Sequence, residues 1–293
     1  AVELLQIQAK RESKKGPKYE IPLKEYKDFS REFPYLETAD QLRAISEIET
    51  DLKNSKPMDR LVCGEVGFGK TEVAMRASFI TAYNNQQTCI LVPTTLLAQQ
   101  HFESFTSRFS NTPIKIAKIS RDVPLKEKKN ILDNLAKGNI DILIGTHAVL
   151  HNSVKFYDLG LLVIDEEHKF GVRQKEKIKG LKEEINLLYL SATPIPRSLN
   201  FALSELKDFS IIVTAPSERL SVKTFIHSFN QNLIKESVQR EVLRGGQVYY
   251  LCNDLRLIED RRQRLNEMFN TFRIEVIHGK LKSNIIEEIM ILF

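Results

Sequence analysis

Seven short apolar runs, separated by longer helical patterns, constrain the fold of this chain more than any other feature. They are DRLVC (59–63), TCILVP (88–93), IKIAKI (114–119), DILIG (141–145), LGLLVID (159–165), NLLYLSA (186–192) and FSIIVT (209–214). Most runs are continuous rather than alternating, so both faces of those strands need cover, and the helical stretches between runs supply it. The expectation is an α/β domain built on a parallel sheet. TAPSERLSVK (214–223) reads as a linker. A shorter series follows, with strand candidates in VKTFIH (222–227), GGQVYYLCND (245–254) and FRIEVIHGK (272–280), ending in the helical pattern SNIIEEIMILF. Three strands are few for a doubly wound domain, so the second unit reads as incomplete. The first 55 residues are lysine-rich and helical, with a break at KKGPKYEIP. The expected division is therefore 1–55, 56–215 and 216–293.

Composition narrows the class. The 293 residues are 42% hydrophobic and 28% charged, which suits a globular chain. No run approaches the ~20 apolar residues of a membrane span, and the N-terminus lacks the basic-then-apolar order of a secretion signal. Cys63, Cys89 and Cys252 are far apart and sit in apolar runs, so they read as reduced, buried small residues of a cytoplasmic protein. A formal charge of +5 permits an anionic partner without demanding one.

One Gly-rich stretch carries the chemistry. Gly64-Glu65-Val66-Gly67-Phe68-Gly69-Lys70-Thr71 fits G-x-x-x-x-G-K-[ST], after a strand and before a helical pattern. Glycines let main-chain N–H groups curl toward phosphate oxygens, and the helix N-terminus adds its positive end. In this pattern Lys70 reaches the β- and γ-phosphates and Thr71 ligates Mg²⁺. A metal partner is expected on a neighbouring strand. Asp165 ends LLVID at the C-terminal edge, where parallel sheets bind ligands. Asp165 is the second expected Mg²⁺ ligand, and Glu166 the group that positions and activates water. The cofactors expected are therefore ATP and Mg²⁺. His147 and His151 stand four apart, but no third ligand lies nearby, which argues against a metal there.

Asp165-Glu166-Glu167-His168 after a P-loop resembles the DExH box of superfamily 2 helicases and translocases, and other stretches extend the resemblance in order. Phe33-Pro34-Tyr35 and Thr38-Ala39-Asp40-Gln41 are similar to the adenine-reading segment, which implies that Gln41 bonds the adenine edge. Pro93 to His101 resembles motif Ia, Gly145-Thr146-His147 motif Ib, and Leu190-Ser191-Ala192-Thr193-Pro194 motif III, whose Ser191, Ala192 and Thr193 would couple nucleotide to nucleic acid. Over nearly the whole chain, MDRLVCGEVGFGKTEVAMRA, DLGLLVIDEEHKFGVRQKEKIK and SATPIPRSLN closely resemble the motor module of the bacterial transcription-repair coupling family. The branch-migration helicases of the RecG type are similar in HKFGV and ATPIPR, but favour DEQH over DEEH and another residue at Phe68.

The resemblance implies two RecA-like lobes, the second incomplete here, that hold MgATP and move along double-stranded DNA. It implies displacement of a stalled RNA polymerase and recruitment of excision repair through UvrA, by parts of the parent protein outside this sequence. A motor indifferent to base sequence grips phosphates. Thr94, Thr95, Gln99, Thr146 and His147 suit that task on the first lobe, and Asn253, His278 and Gly279 on the second. The same threonines suit ordinary helix caps. The family's motifs V and VI, with an arginine finger worth about 10³–10⁵ in rate, have no counterpart here. That raises the alternative of a nucleotide- and DNA-binding fragment without turnover, cut from a longer protein or left by a shortened gene.

Overall fold

The computed structural model describes residues 18–121, 123–170, 185–192, 208–217, 219 and 222–293. All seven apolar runs form strands: β1 (Asp59–Gly64), β2 (Gln87–Leu91), β3 (Ile116–Ile119), β4 (Ile142–Gly145), β5 (Leu159–Asp165), β6 (Asn186–Ser191) and β7 (Asp208–Ile212). They make one sheet in the order β3-β4-β2-β5-β6-β1-β7, with every pairing parallel. The fold is therefore α/β, as the continuous apolar runs require. Among the described residues the accompanying helices are α1 (Leu23–Arg31), α2 (Ala39–Lys53), α3 (Lys70–Tyr83), α4 (Thr95–Arg108) and α5 (Leu125–Ala136).

The two-residue period of the strands splits the core into two layers. Leu161 and Val163 of β5 join Leu188 and Leu190 of β6 on one face, with Phe79, Phe105 and Ile48 from the helices. Leu162 and Ile164 join Leu187 and Tyr189 on the other, with Leu135 and Val149. Helix α3 is covered on nearly all sides and buries Glu72 and Arg76 among its apolar residues. Those charges are paired: Arg76 Nε donates to Glu72 at 2.6 Å, and Arg108 Nη2 donates to the same carboxylate at 2.9 Å.

Residues 18–55 pack directly on this core. Tyr19, Phe29, Ile45, Ile48 and Leu52 belong to the first layer, and Phe29 stacks on Phe79 with centroids 4.4 Å apart. Arg60 of β1 ties α2 to the sheet through Asp51 at 2.6 Å and Glu47 at 3.0 Å. The chain divides into two compact units, Ala1–Leu220 and Ser221–Phe293.

The second unit keeps the expected alternation of apolar stretch and helix, with α6 (Gln231–Leu243), α7 (Ile258–Met268) and α8 (Ser283–Leu292). Its three apolar stretches differ from the expectation: 222–230, 246–252 and 273–278 carry no strand ladder. A strand exists only through its neighbours' hydrogen bonds, and none of these stretches pairs with another. Cys252 also departs from expectation. Cys63 and Cys89 are buried and free, and burial pushes the Cys89 thiol up to about 12, whereas Cys252 is only half-buried. Among the described residues, no helix is long and apolar enough to cross a membrane.

Candidate nucleotide site and nucleic-acid edge

The C-terminal ends of β1, β2, β4, β5 and β6 lie along one edge of the sheet because every strand runs the same way. That edge brings most of the first unit's candidate residues together. The Gly64–Thr71 loop leaves β1, Asp165 ends β5, and Ser191 ends β6, which sits between β5 and β1. Thr94 and Thr95 follow β2, and Thr146 and His147 follow β4.

The loop adopts the curl its glycines allow. Gly67 and Gly69 have φ of 82° and 75°, where a side chain is strained. Gly69 caps α3 and Lys70 is that helix's first residue. Lys70 Nζ donates to the carbonyls of Gly64 at 2.6 Å and Glu65 at 3.0 Å, so its charge lies inside the loop. Burial pulls the Lys70 pKa below its ordinary value, opposed by the negative charges of Asp165 and Glu166.

Gln41 is wired into this loop. It is 4% exposed, and its Oε1 accepts from Thr38 N at 2.7 Å in a capping box at the start of α2. Its Nε2 donates to Phe68 O at 3.0 Å. A Cβ at Gly69 would lie 2.3 Å from that Nε2, so glycine there is needed for the approach as well as for its φ. One Nε2 proton and one Oε1 lone pair remain for an adenine edge. The nearby aromatics Phe33 and Tyr35 pack edge to face, 5.5 Å apart.

Asp165 Oδ2 lies 3.1 Å from His101 Nε2, on the inner face of α4. Glu166 has a left-handed backbone, with φ of 54°. Its N–H donates to Leu190 O at 3.0 Å, and its Oε1 accepts from Ala192 N at 3.2 Å. Glu166 is thereby tied to the end of β6 and, through Ala192, to the expected coupling residues, of which Thr193 lies outside the described residues. Among the described residues, no group of three or more His, Cys, Asp or Glu side chains could hold a metal alone. Thr71 and one carboxylate beside a phosphate loop fit Mg²⁺, which commonly takes few protein ligands and completes its shell with water and phosphate.

The expected DNA contacts fare unequally. Thr94 is exposed and caps α4, accepting from Leu97 N at 3.2 Å. Gln99 is held by Lys118 and Glu103, and His147 is exposed in a 3-10 turn. Thr146 is 3% exposed and its hydroxyl is enclosed, so of this pair His147 presents the more open side chain. In the second unit Asn253 and Gly279 are exposed and His278 is half-buried.

Two participants carried no recognised signal in the sequence. His101 was legible only as part of motif Ia. Arg219, in the linker, donates to Glu65 Oε2 at 3.0 Å and stands 4.8 Å over the Phe68 ring.

Residues 38–202 match the DEAD/DEAH box helicase family. The transcription-repair-coupling factor of Haemophilus influenzae is 52% identical over 290 residues, 99% of this chain and 25% of that protein. Its counterpart in Escherichia coli strain K12 is 50% identical over 290 residues, with the same two coverages, 99% and 25%. The chain thus spans about a quarter of the length of these curated relatives. Among solved structures, RecG bound to a three-way DNA junction aligns with a TM-score of 0.82 and 32% identity over 99% of this chain and 39% of that one. The DUF1998 helicase MrfA bound to DNA aligns with a TM-score of 0.63 at 18% identity, over 94% of this chain and 44% of that one, a likeness of fold.

Proposed function

The chain belongs to the DEAD/DEAH box helicase family, and from that premise we propose that it is the motor module of an ATP-dependent double-stranded DNA translocase of the transcription-repair coupling type. The observation that carries this reading is the convergence of the Gly64–Thr71 loop, Asp165 and Glu166 on one sheet edge. The loop's N–H groups and Lys70 grip the phosphates of ATP. Thr71 and Asp165 hold Mg²⁺, which supplies charge neutralisation at the transferring phosphoryl group. Glu166 orients the attacking water, and its bond to Ala192 links that task to the coupling segment.

Along the same edge Thr94, Thr95, Gln99, Thr146 and His147 grip the DNA backbone, and Asn253, His278 and Gly279 do so on a second, partial RecA-like unit. In the parent protein the motor displaces a stalled RNA polymerase and hands the lesion to excision repair through UvrA. A second reading, remodelling of branched DNA, draws support from the likeness to RecG; the higher identity to the coupling factors, 52% against 32%, favours the first.

The test measures binding of a fluorescent ATP analogue, then phosphate release with and without linear duplex DNA. Lys70→Ala removes a charge-assisted contact of about 1.5–3 kcal/mol, so affinity falls roughly tenfold to a hundredfold. Unchanged affinity sinks the nucleotide site. Duplex binding is expected to be indifferent to sequence and to weaken steeply with salt; a strong preference for one sequence or for a three-way junction counts against the translocase.

A further inference from the structure

We infer that His101 is a positioning residue for the metal-binding carboxylate, holding Asp165 through its Nε2 so that the other carboxylate oxygen faces the loop. This rests on the reading of Asp165 as a Mg²⁺ ligand. The two residues lie 64 apart in sequence and meet at 3.1 Å. An ionised carboxylate only accepts, so the bond requires the proton on Nε2. That assigns the tautomer and leaves Nδ1 as an acceptor.

His101 is 7% exposed, and its Nδ1 has no hydrogen-bond partner among the described residues. A histidine kept only for packing gains nothing from an uncompensated buried nitrogen, which costs about 1–3 kcal/mol. Its single polar contact, with Asp165, is therefore what justifies an imidazole at this position. The surroundings lock its direction. Ala98 and Phe105 flank it on the buried stripe of α4, and the Phe105 ring lies 6.2 Å from the imidazole. Asp165 Oδ1 makes no hydrogen bond within the described residues and its side chain is 14% exposed, so one oxygen is fixed by protein while the other is left for a ligand. Outer-sphere partners of this kind change metal affinity by about 10–100-fold. The same helix is capped by Thr94, so a shift of α4 by a bound partner moves the group that orients Asp165.

The experiment measures the affinity of the whole chain for a fluorescent ATP analogue in Mg²⁺ and in excess EDTA, with thermal unfolding alongside. The quantity read is the gain in affinity that Mg²⁺ confers. His101→Leu keeps the volume and removes the donor; the gain is expected to fall by about tenfold while affinity in EDTA stays at the wild-type value. His101→Gln presents an amide nitrogen near the Nε2 position and keeps the gain. His101→Asn, too short to reach, loses it. Should the leucine variant fail to fold, the Asn–Gln comparison decides alone. A full gain in both His101→Leu and His101→Asn overturns the inference, as does an equal loss in Mg²⁺ and EDTA, which marks a packing role. Lys70→Ala and Asp165→Asn separate this from failure of the underlying reading: unchanged binding in the former removes the nucleotide site, and an undiminished Mg²⁺ gain in the latter removes the metal site.

Discussion

Glu166 concentrates what a single residue contributes to this site. A non-glycine residue with a left-handed backbone costs on the order of 1 kcal/mol or more, and here it is offset by bonds to Leu190 O and Ala192 N. Glu166→Gln preserves the acceptor for Ala192 N and the backbone, so ATP affinity is expected to stay at wild type while any turnover falls by about 10²–10⁴. Binding of a fluorescent analogue and steady-state phosphate release check the two halves separately, and hydrolysis retained at the wild-type rate assigns the water to another residue. Gln41 gives a second residue-scale prediction. Its Nε2 donates to Phe68 O in a buried contact, so Gln41→Glu sets a carboxylate against a carbonyl and destabilises more than Gln41→Ala, which loses about 1 kcal/mol of capping-box energy. Equal unfolding midpoints for the two variants would contradict that geometry.

Elements are joined by buried charges more than by their own propensities. The Asp40 carboxylate, on the first turn of α2, accepts from Thr214 Oγ1 at 2.8 Å, Thr214 N at 2.9 Å and Val213 N at 3.1 Å, and pairs with Arg43 at 2.6 Å. Those bonds, the Thr214 hydroxyl first, hold its pKa below the usual carboxylate value. A depressed folded pKa adds stability that is complete above the unfolded value of about 3.9 and is lost as pH falls through the folded one. Asp40→Asn should therefore cost about 1.5–3 kcal/mol at neutral pH, and its deficit against wild type should shrink under acid. Denaturant melts at several pH values test this; a deficit that persists at low pH means the loss is steric. None of this was legible in the sequence, because Asp40 and Thr214 are separated by almost the whole first unit. The inner strands were legible because two-sided burial forces continuous apolar runs, whereas the edge strands β3 and β7 are only partly buried and were legible from their β-branched residues. The P-loop and DEEH were legible because their chemistry is contiguous. The pairing of His101 was not, since its partner ends a strand 64 residues further on, and neither was the Arg76–Glu72–Arg108 network, whose members come from two helices. The second unit's strands were legible as pattern and absent as ladders, since pairing is a property of neighbours.

At the scale of the whole chain, the two units differ in how they satisfy their backbones and apolar groups. The first places Leu161, Leu162, Val163 and Ile164 of β5 at 0% exposure between paired neighbours. The second leaves Ile226 at 93% and Leu251 at 86% exposed, with Phe225 and Tyr249 also at the surface. Main-chain amides exchange through openings whose free energy ranges from near zero to that of global unfolding, and ladder bonds under a covered core sit at the upper end. Amides of β1, β2, β5 and β6 should thus exchange with the global free energy, about 5–15 kcal/mol. Those of 222–229 and 247–252 should exchange within the earliest time points, because neither stretch donates to a ladder. Hydrogen exchange followed by mass spectrometry on the intact chain separates the two classes directly. Added duplex DNA tests the motor reading in the same experiment: contacts at both units predict slower exchange at 94–101 and around Asn253 and His278, with β3 and β4 unaffected. Protection of 222–229 equal to that of β2 in the free chain would mean that this stretch is paired in solution, and the second unit's apolar surface would then have to be counted as core.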